Sequence, residues 1–123
     1  IVDPTERTFK PRVETPVSLI DLFPTLLDLV GLPAQSGIDG HSLKPLMLGQ
    51  RSSSESPALS MWGQGNLSIR MGSWRYTRYK NGEEELYDHI NDPLEYHNLA
   101  DASSTKSVKR QLKKRLKQAQ AEH

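Results

Sequence analysis

Val17-Ser18-Leu19-Ile20-Asp21-Leu22-Phe23-Pro24-Thr25-Leu26-Leu27-Asp28-Leu29-Val30-Gly31-Leu32-Pro33 is a dense apolar block in an otherwise polar chain of 123 residues. Leu19, Leu22, Phe23, Leu26, Leu27, Leu29 and Val30 recur at helical spacing. Pro24 sets the register, because proline lacks an N–H and clashes inside a helix. Two arrangements accommodate it. Asp21 caps the helix and Pro24 falls in the first turn, where its missing donor costs little; or the helix starts at Ser18 and bends at Pro24. The first is favoured and gives a helix over about 21–30. Ser18 followed by Asp21 also fits a cap, with an acid near the positive helix end. Gly31 supplies the left-handed stop, and Pro33 blocks continuation.

Upstream, residues 1–15 are polar and contain Pro4 and Pro11, so they read as an extended lead-in, with a short strand over 13–17. Downstream, Gly37 and Gly40 mark a loop, and Ser42 opens a short helix, Leu43 to Leu48, closed by Gly49. Residues 50–57 are serine-rich and polar, a linker. Beyond them lies a meander: Ala58–Trp62, Asn66–Met71, and a hairpin of Trp74–Lys80 with Glu83–Asp88. Asn81-Gly82 between the last two predicts a type I′ turn, since both residue types tolerate positive φ. Asn91-Asp92-Pro93 is a further turn. Residues 103–121 predict an amphipathic helix with a thin stripe of Val108, Leu112, Leu116 and Ala119. The expected class is α/β, divided at 1–50 and 51–123.

Apolar residues make up 35% of the chain, below the ~45–50% usual for a self-sufficient globule. The expectation is a piece of a larger fold whose missing part supplies some of the core; the start at Ile1 without Met suits an internal fragment. The net charge of +1 selects neither nucleic acid nor an anionic membrane globally. There is no cysteine, hence no disulfide and no thiolate metal site. No run approaches the ~18 apolar residues of a membrane span.

Four segments, in order, resemble the C-terminal part of type I sulfatases of the alkaline-phosphatase-like superfamily, closest to the iduronate-2-sulfatase-like and polysaccharide-sulfatase branch. Residues 16–32 match P-V-S-L-x-D-L-x-P-T-L-L-D-L-x-G-L. Asp39-Gly40-His41-Ser42-Leu43-Lys44-Pro45-Leu46-Met47 matches D-G-x-S-L-x-P-L-L. Residues 68–79 match A-V-R-x-x-x-W-R-Y-I-R-Y. Residues 84–100 match E-E-L-Y-D-L-x-x-D-P-x-E-x-x-N-L-A, with His89 in place of the usual Leu. The resemblance covers about residues 13–101. It implies a parent that hydrolyses sulfate esters of a sulfated carbohydrate with a formylglycine nucleophile and Ca²⁺. Its partners would be the N-terminal catalytic part and the sulfated sugar, and its compartment periplasmic, secreted or lysosomal. The chain has no (Cys or Ser)-x-Pro-x-Arg segment, and Ser54-Glu55-Ser56-Pro57 lacks both spacing and arginine. No catalytic or metal-ligating residue is therefore assigned here, and the chain alone is expected to be inactive.

Trp62, Gln64, Asn66 and Arg70 are the candidate substrate contacts, because the resemblance places the segment ahead of this strand at the active-site mouth. Tryptophan offers a stacking face for a pyranose, and amide and guanidinium groups offer hydrogen bonds. Gly63 and Gly65 permit close backbone approach. Against this stands a tight loop with a core tryptophan. Trp74, Tyr76, Tyr79 and Tyr87 read as sheet packing. His41 reads as a surface loop residue, and His89 and His97 lack the spacing of a metal motif. Asn66-Leu67-Ser68 spells a glycosylation sequon but reads as structural. Lys106, Lys109, Arg110, Lys113, Lys114, Arg115 and Lys117 read as a solvated helix face whose cations suit a negative helix end. Two readings from other classes remain: a non-catalytic interaction module using this basic helix, and a phosphatase or phosphodiesterase of the same superfamily.

Overall fold

In the computed structural model, residues 9–10, 12–50 and 57–122 are described. The chain divides into two compact units, Ile1–Glu55 and Ser56–His123.

In the first unit a single 3₁₀ turn, Leu19–Asp21, runs into helix α1, Leu22–Leu29. Asp21 is the N-cap residue of α1, so Pro24 sits in its first turn and no bend is needed. The Ser18 N–H donates back to the Asp21 carboxylate at 3.1 Å. Gly31, at φ +72°, ends the helix. The Leu32 N–H reaches the Leu27 carbonyl and the Gly31 N–H the Asp28 carbonyl, the paired bonds of a Schellman stop. Helix α2 is one turn, Lys44–Met47, shorter than the 43–48 expected. Gly49 at φ +73° closes it in the same way, with the Gln50 N–H on the Pro45 carbonyl.

What joins α1 to α2 is polar. The Thr25 hydroxyl is fully buried, donates to the Asp21 carbonyl at 2.5 Å and accepts from the Leu43 N–H at 2.8 Å. Ser42 Oγ donates to Asp28 at 2.6 Å and accepts from the Lys44 N–H, while Lys44 Nζ lies 3.2 Å from the same carboxylate. The hydrogen bond from Ser42, then those from Lys44, hold the Asp28 carboxyl below its ordinary range. Gly40 is required by closeness: a Cβ there would lie 2.1 Å from the Ile20 carbonyl oxygen. The polar letters and glycine of the first two motif segments are thus one interlocking set.

The second unit is an antiparallel meander, β1 (Ala58–Trp62), β2 (Asn66–Met71), β3 (Trp74–Arg78) and β4 (Glu84–Asp88), in the order β1-β2-β3-β4, followed by helix α3, Lys106–Glu122. Register places Leu59, Ile69, Tyr76 and Leu86 in one row across the sheet. Ile69, Tyr76 and Leu86 are fully buried, and Leu112 and Leu116 of α3 close the core over them. Each fully buried leucine or isoleucine contributes about 1.5–3 kcal/mol. Val108 packs at the margin of this core.

Two expectations are corrected. The β3–β4 connection is not a type I′ turn. Gly82 is at φ +91°, but Asn81 is not at positive φ. The Gly82 N–H bonds the Tyr79 carbonyl and the Tyr79 N–H the Glu83 carbonyl, a type I turn closed by a glycine bulge. Asn81 Oδ1 instead accepts the Glu83 N–H at 3.0 Å, which a right-handed asparagine can do. The basic helix is not one uniformly solvated face either. Lys109 and Lys113 both reach Glu84, at 2.8 and 2.5 Å, and the Tyr76 hydroxyl donates to the same carboxylate at 2.6 Å. Burial alone would raise the Glu84 carboxyl; the bonds from Lys109, Lys113 and Tyr76 outweigh it and hold it at about 2.

Candidate functional site

Three of the four expected contact residues, Trp62, Asn66 and Arg70, lie on one face of the second unit's sheet, and Gln64 lies in the loop between two of them. Trp62 pairs with Asn66 across the β1–β2 hairpin, and their side chains stand on the face away from the Ile69–Tyr76–Leu86 row. Gly63-Gln64-Gly65 forms the tip, with Gly63 at φ +55° and Gly65 at φ +91°, conformations that favour glycine. Trp62 is 43% exposed and meets the Tyr79 ring edge-to-face at 6.0 Å. Gln64 is exposed. Asn66 is half-buried, and its carboxamide oxygen accepts the Lys80 N–H at 3.0 Å, bracing this tip against the β3–β4 turn. The asparagine of the sequon is therefore structural, and its Ser68 is buried against Thr77, the two hydroxyl oxygens 3.1 Å apart. Arg70 is on the same face and exposed, but opposite Ala58, at the far end of the hairpin. Four steps along the strand separate it from Asn66, about 13 Å. The structure gathers Trp62, Gln64 and Asn66 at one tip and leaves Arg70 apart.

Near Arg70 is a cluster that the sequence reading did not assemble. Arg70 faces Arg75 in register. Arg75 Nη1 is 3.0 Å from Glu95, and His89 Nε2 lies 2.5 Å from the other oxygen of that carboxylate. Glu95 is held at φ +59°, left-handed for a non-glycine residue, a strain on the order of 1 kcal/mol. His97 lies beside a different carboxylate, Asp92, at 3.7 Å, so the two histidines do not converge. A spacing signal existed, since Glu95 is a letter of the fourth motif, but nothing local tied it to Arg75, twenty positions upstream.

The rest of that motif is scaffold. Asp92 accepts the Tyr96 and His97 N–H groups, and the His97 bond, then the Tyr96 bond, holds its carboxyl low. Asn98 Oδ1 accepts from the Leu86 and Ala100 N–H groups, and Asn98 Nδ2 donates to the Glu84 carbonyl. His41 is exposed, and its N–H donates to Asp21 at 3.0 Å. Trp74 and Tyr76 belong to the helix-side packing, whereas Tyr79 and Tyr87 stand on the other face. Tyr79 and Tyr87 are raised first by burial and then by Glu85. Among the described residues no three His, Asp or Glu side chains group to hold a metal ion. No described helix is long and apolar enough to cross a membrane.

The profile of a family described as N-sulphoglucosamine sulphohydrolase, C-terminal, matches residues 3–122. A sulfatase of Formosa agariphila is 32% identical over 96 residues, covering 78% of this chain and 19% of its own length. Arylsulfatase K of Danio rerio is 35% identical over 101 residues, covering 72% of this chain and 19% of its own. A phosphonate monoester hydrolase of Agrobacterium radiobacter superposes at a TM-score of 0.70 with 24% identity, over 90% of this chain and 26% of that one, a likeness of fold. The chain spans about a fifth of the length of these curated relatives. With its sheet, terminal helix and four motif segments so placed, the chain belongs to the family of sulfatase C-terminal parts described as N-sulphoglucosamine sulphohydrolase, C-terminal, and carries the corresponding portion of an alkaline-phosphatase-like fold.

Proposed function

We propose that this chain completes a sulfuric ester hydrolase that removes sulfate from a sulfated carbohydrate. The observation that carries the reading is the family match over residues 3–122, whose description names a sulfated amino sugar. The formylglycine nucleophile and Ca²⁺ implied by the resemblance belong to the portion of the relatives that this chain does not span. The contribution of this chain is a rigid wall beside the pocket. Trp62 offers its exposed ring for stacking on a pyranose, Gln64 and the free Asn66 amide donate to hydroxyls, and Arg70 receives an anionic group. Because Arg70 stands about 13 Å from Asn66, the two ends contact different sugar units of one chain.

The test is sulfate release, followed by ion chromatography, from N-sulfoglucosamine and from 4-nitrophenyl sulfate. The chain is assayed alone and joined to its upstream gene sequence, matured for formylglycine. Release in the joined form alone supports the reading. Cleavage of phosphate or phosphonate esters without sulfate release overturns it in favour of phosphorus chemistry, which the same fold serves in the Agrobacterium enzyme. Within the joined form, Trp62→Ala and Arg70→Ala are each expected to lower kcat/KM on the sulfated sugar about 10-fold, a loss of about 1.4 kcal/mol, with unchanged melting temperature. Unchanged kinetics in both would remove the wall from the binding site.

A further inference from the structure

Helix α3 carries its cations at the wrong end. Its first turn holds no acid and its last turn no base. Lys106 and Arg110 therefore sit towards the positive pole, where the helix dipole opposes them, and the expectation that these cations serve the negative end is overturned. Lys109 and Lys113 are used by Glu84. Five cations remain, all exposed and in no ion pair among the described residues; Arg115 apart, they are Lys106, Arg110, Lys114 and Lys117. Their spacings of four, four and three residues put them on one helix face, in a row about 16 Å long at 1.5 Å per residue. No acid lies between them in the sequence. Like charges at i, i+4 destabilise a helix by a few tenths of a kcal/mol each, and a solubilising face would mix signs. Arg115 points to the opposite side of the helix, half a turn away.

We propose that this row is a docking track for a sulfated glycan chain, holding the polymer outside the pocket in which one of its sulfates is cleaved. The choice of occupant rests on charge complementarity and on the hydrolase reading above. A linear polyanion with regularly spaced sulfates matches four regularly spaced cations, and each cation so neutralised releases a counterion from the polymer. The chain's net charge of +1 makes the row a local feature and not a general stickiness for anions.

The experiment is fluorescence anisotropy of a labelled heparin hexasaccharide titrated with the full 123-residue chain between about 50 and 200 mM salt. For four released counterions at the flexible-polyanion coefficient, affinity should fall about 50-fold across that range. The variant Lys106→Gln/Arg110→Gln/Lys114→Gln/Lys117→Gln should lose most of that dependence and bind at least 10-fold more weakly at the lower salt. Arg115→Gln should bind as the parent does. Circular dichroism melting checks that the glutamines leave α3 folded. Equal affinity in the quadruple variant overturns the proposal, and so does an equal loss in Arg115→Gln. Tighter binding of a single-stranded oligonucleotide than of heparin would overturn it in favour of nucleic acid. The assay needs no turnover, so its failure leaves sulfate release standing, and failure of sulfate release leaves the binding result standing.

Discussion

The two units of this chain are stabilised in opposite ways. Residues 57–122 close an apolar core in which Ile69, Tyr76, Leu86, Leu112 and Leu116 are essentially inaccessible. Residues 12–50 bury one side chain of α1, the hydroxyl of Thr25, and leave apolar surface outside: Leu19 is 84% exposed, Val30 69% and Leu26 51%. The first unit has complete polar locks and an uncovered apolar face; the second has both locks and core. Hydrogen-bond order and hydrophobic closure are therefore separable. A segment keeps its conformation through caps and buried hydroxyls while its apolar face waits for cover.

The closed unit is the most sensitive to truncation. Leu112→Ala should cost about 2–5 kcal/mol in chemical denaturation, whereas Leu26→Ala in this chain should cost less than about 0.5 kcal/mol. In the joined protein Leu26→Ala should rise into the range of Leu112→Ala, and equal small costs in both settings would show that α1 is never covered. Next, Gly40→Ala tests the polar locks. Its Cβ meets backbone that must move, so a loss of about 1–3 kcal/mol is expected, with faster amide exchange at His41 and Leu43 and no change in the second unit. Glu84→Gln should cost about 1–2 kcal/mol at neutral pH after allowance for partial exposure. The Glu84 carboxyl lies below its ordinary 4.5, at about 2. Its contribution is therefore complete above about pH 4.5 and is lost as pH falls towards 2. The variant's stability should be flatter across that window, and parallel acid limbs would show that the Lys109–Lys113 clamp contributes nothing.

Much of the fold was legible because its signals are local. The helix stop at Gly31, the placement of Pro24, and strands β1 and β2 follow from turn residues and apolar spacing alone. The four motif segments identified the family without any contact being known. What was not legible was tertiary. Glu84 reads only as a letter of a strand and of the fourth motif, yet it receives Tyr76, Lys109 and Lys113. The chemistry of Asn81 allowed two turns, and its side-chain bond to Glu83 selects the one observed. For the candidate contacts, the sequence put four residues in one stretch, and the 3.3 Å strand rise separated Arg70 from the other three. The cationic row was visible as composition, but which lysines were free depended on Glu84.

Asn98 has a consequence for the boundary of the sheet. Its side chain and the Leu99 N–H occupy groups that β4 turns away from β3: the Glu84 carbonyl and both main-chain groups of Leu86. The Asp88 carbonyl is filled by the Asn91 and Asp92 N–H groups. With four of its outward main-chain groups already engaged, this outer strand offers another chain only a broken edge. The Asn-Leu-Ala letters of the motif thus act as a hem along the middle of β4, leaving less of that edge open to pairing with another strand.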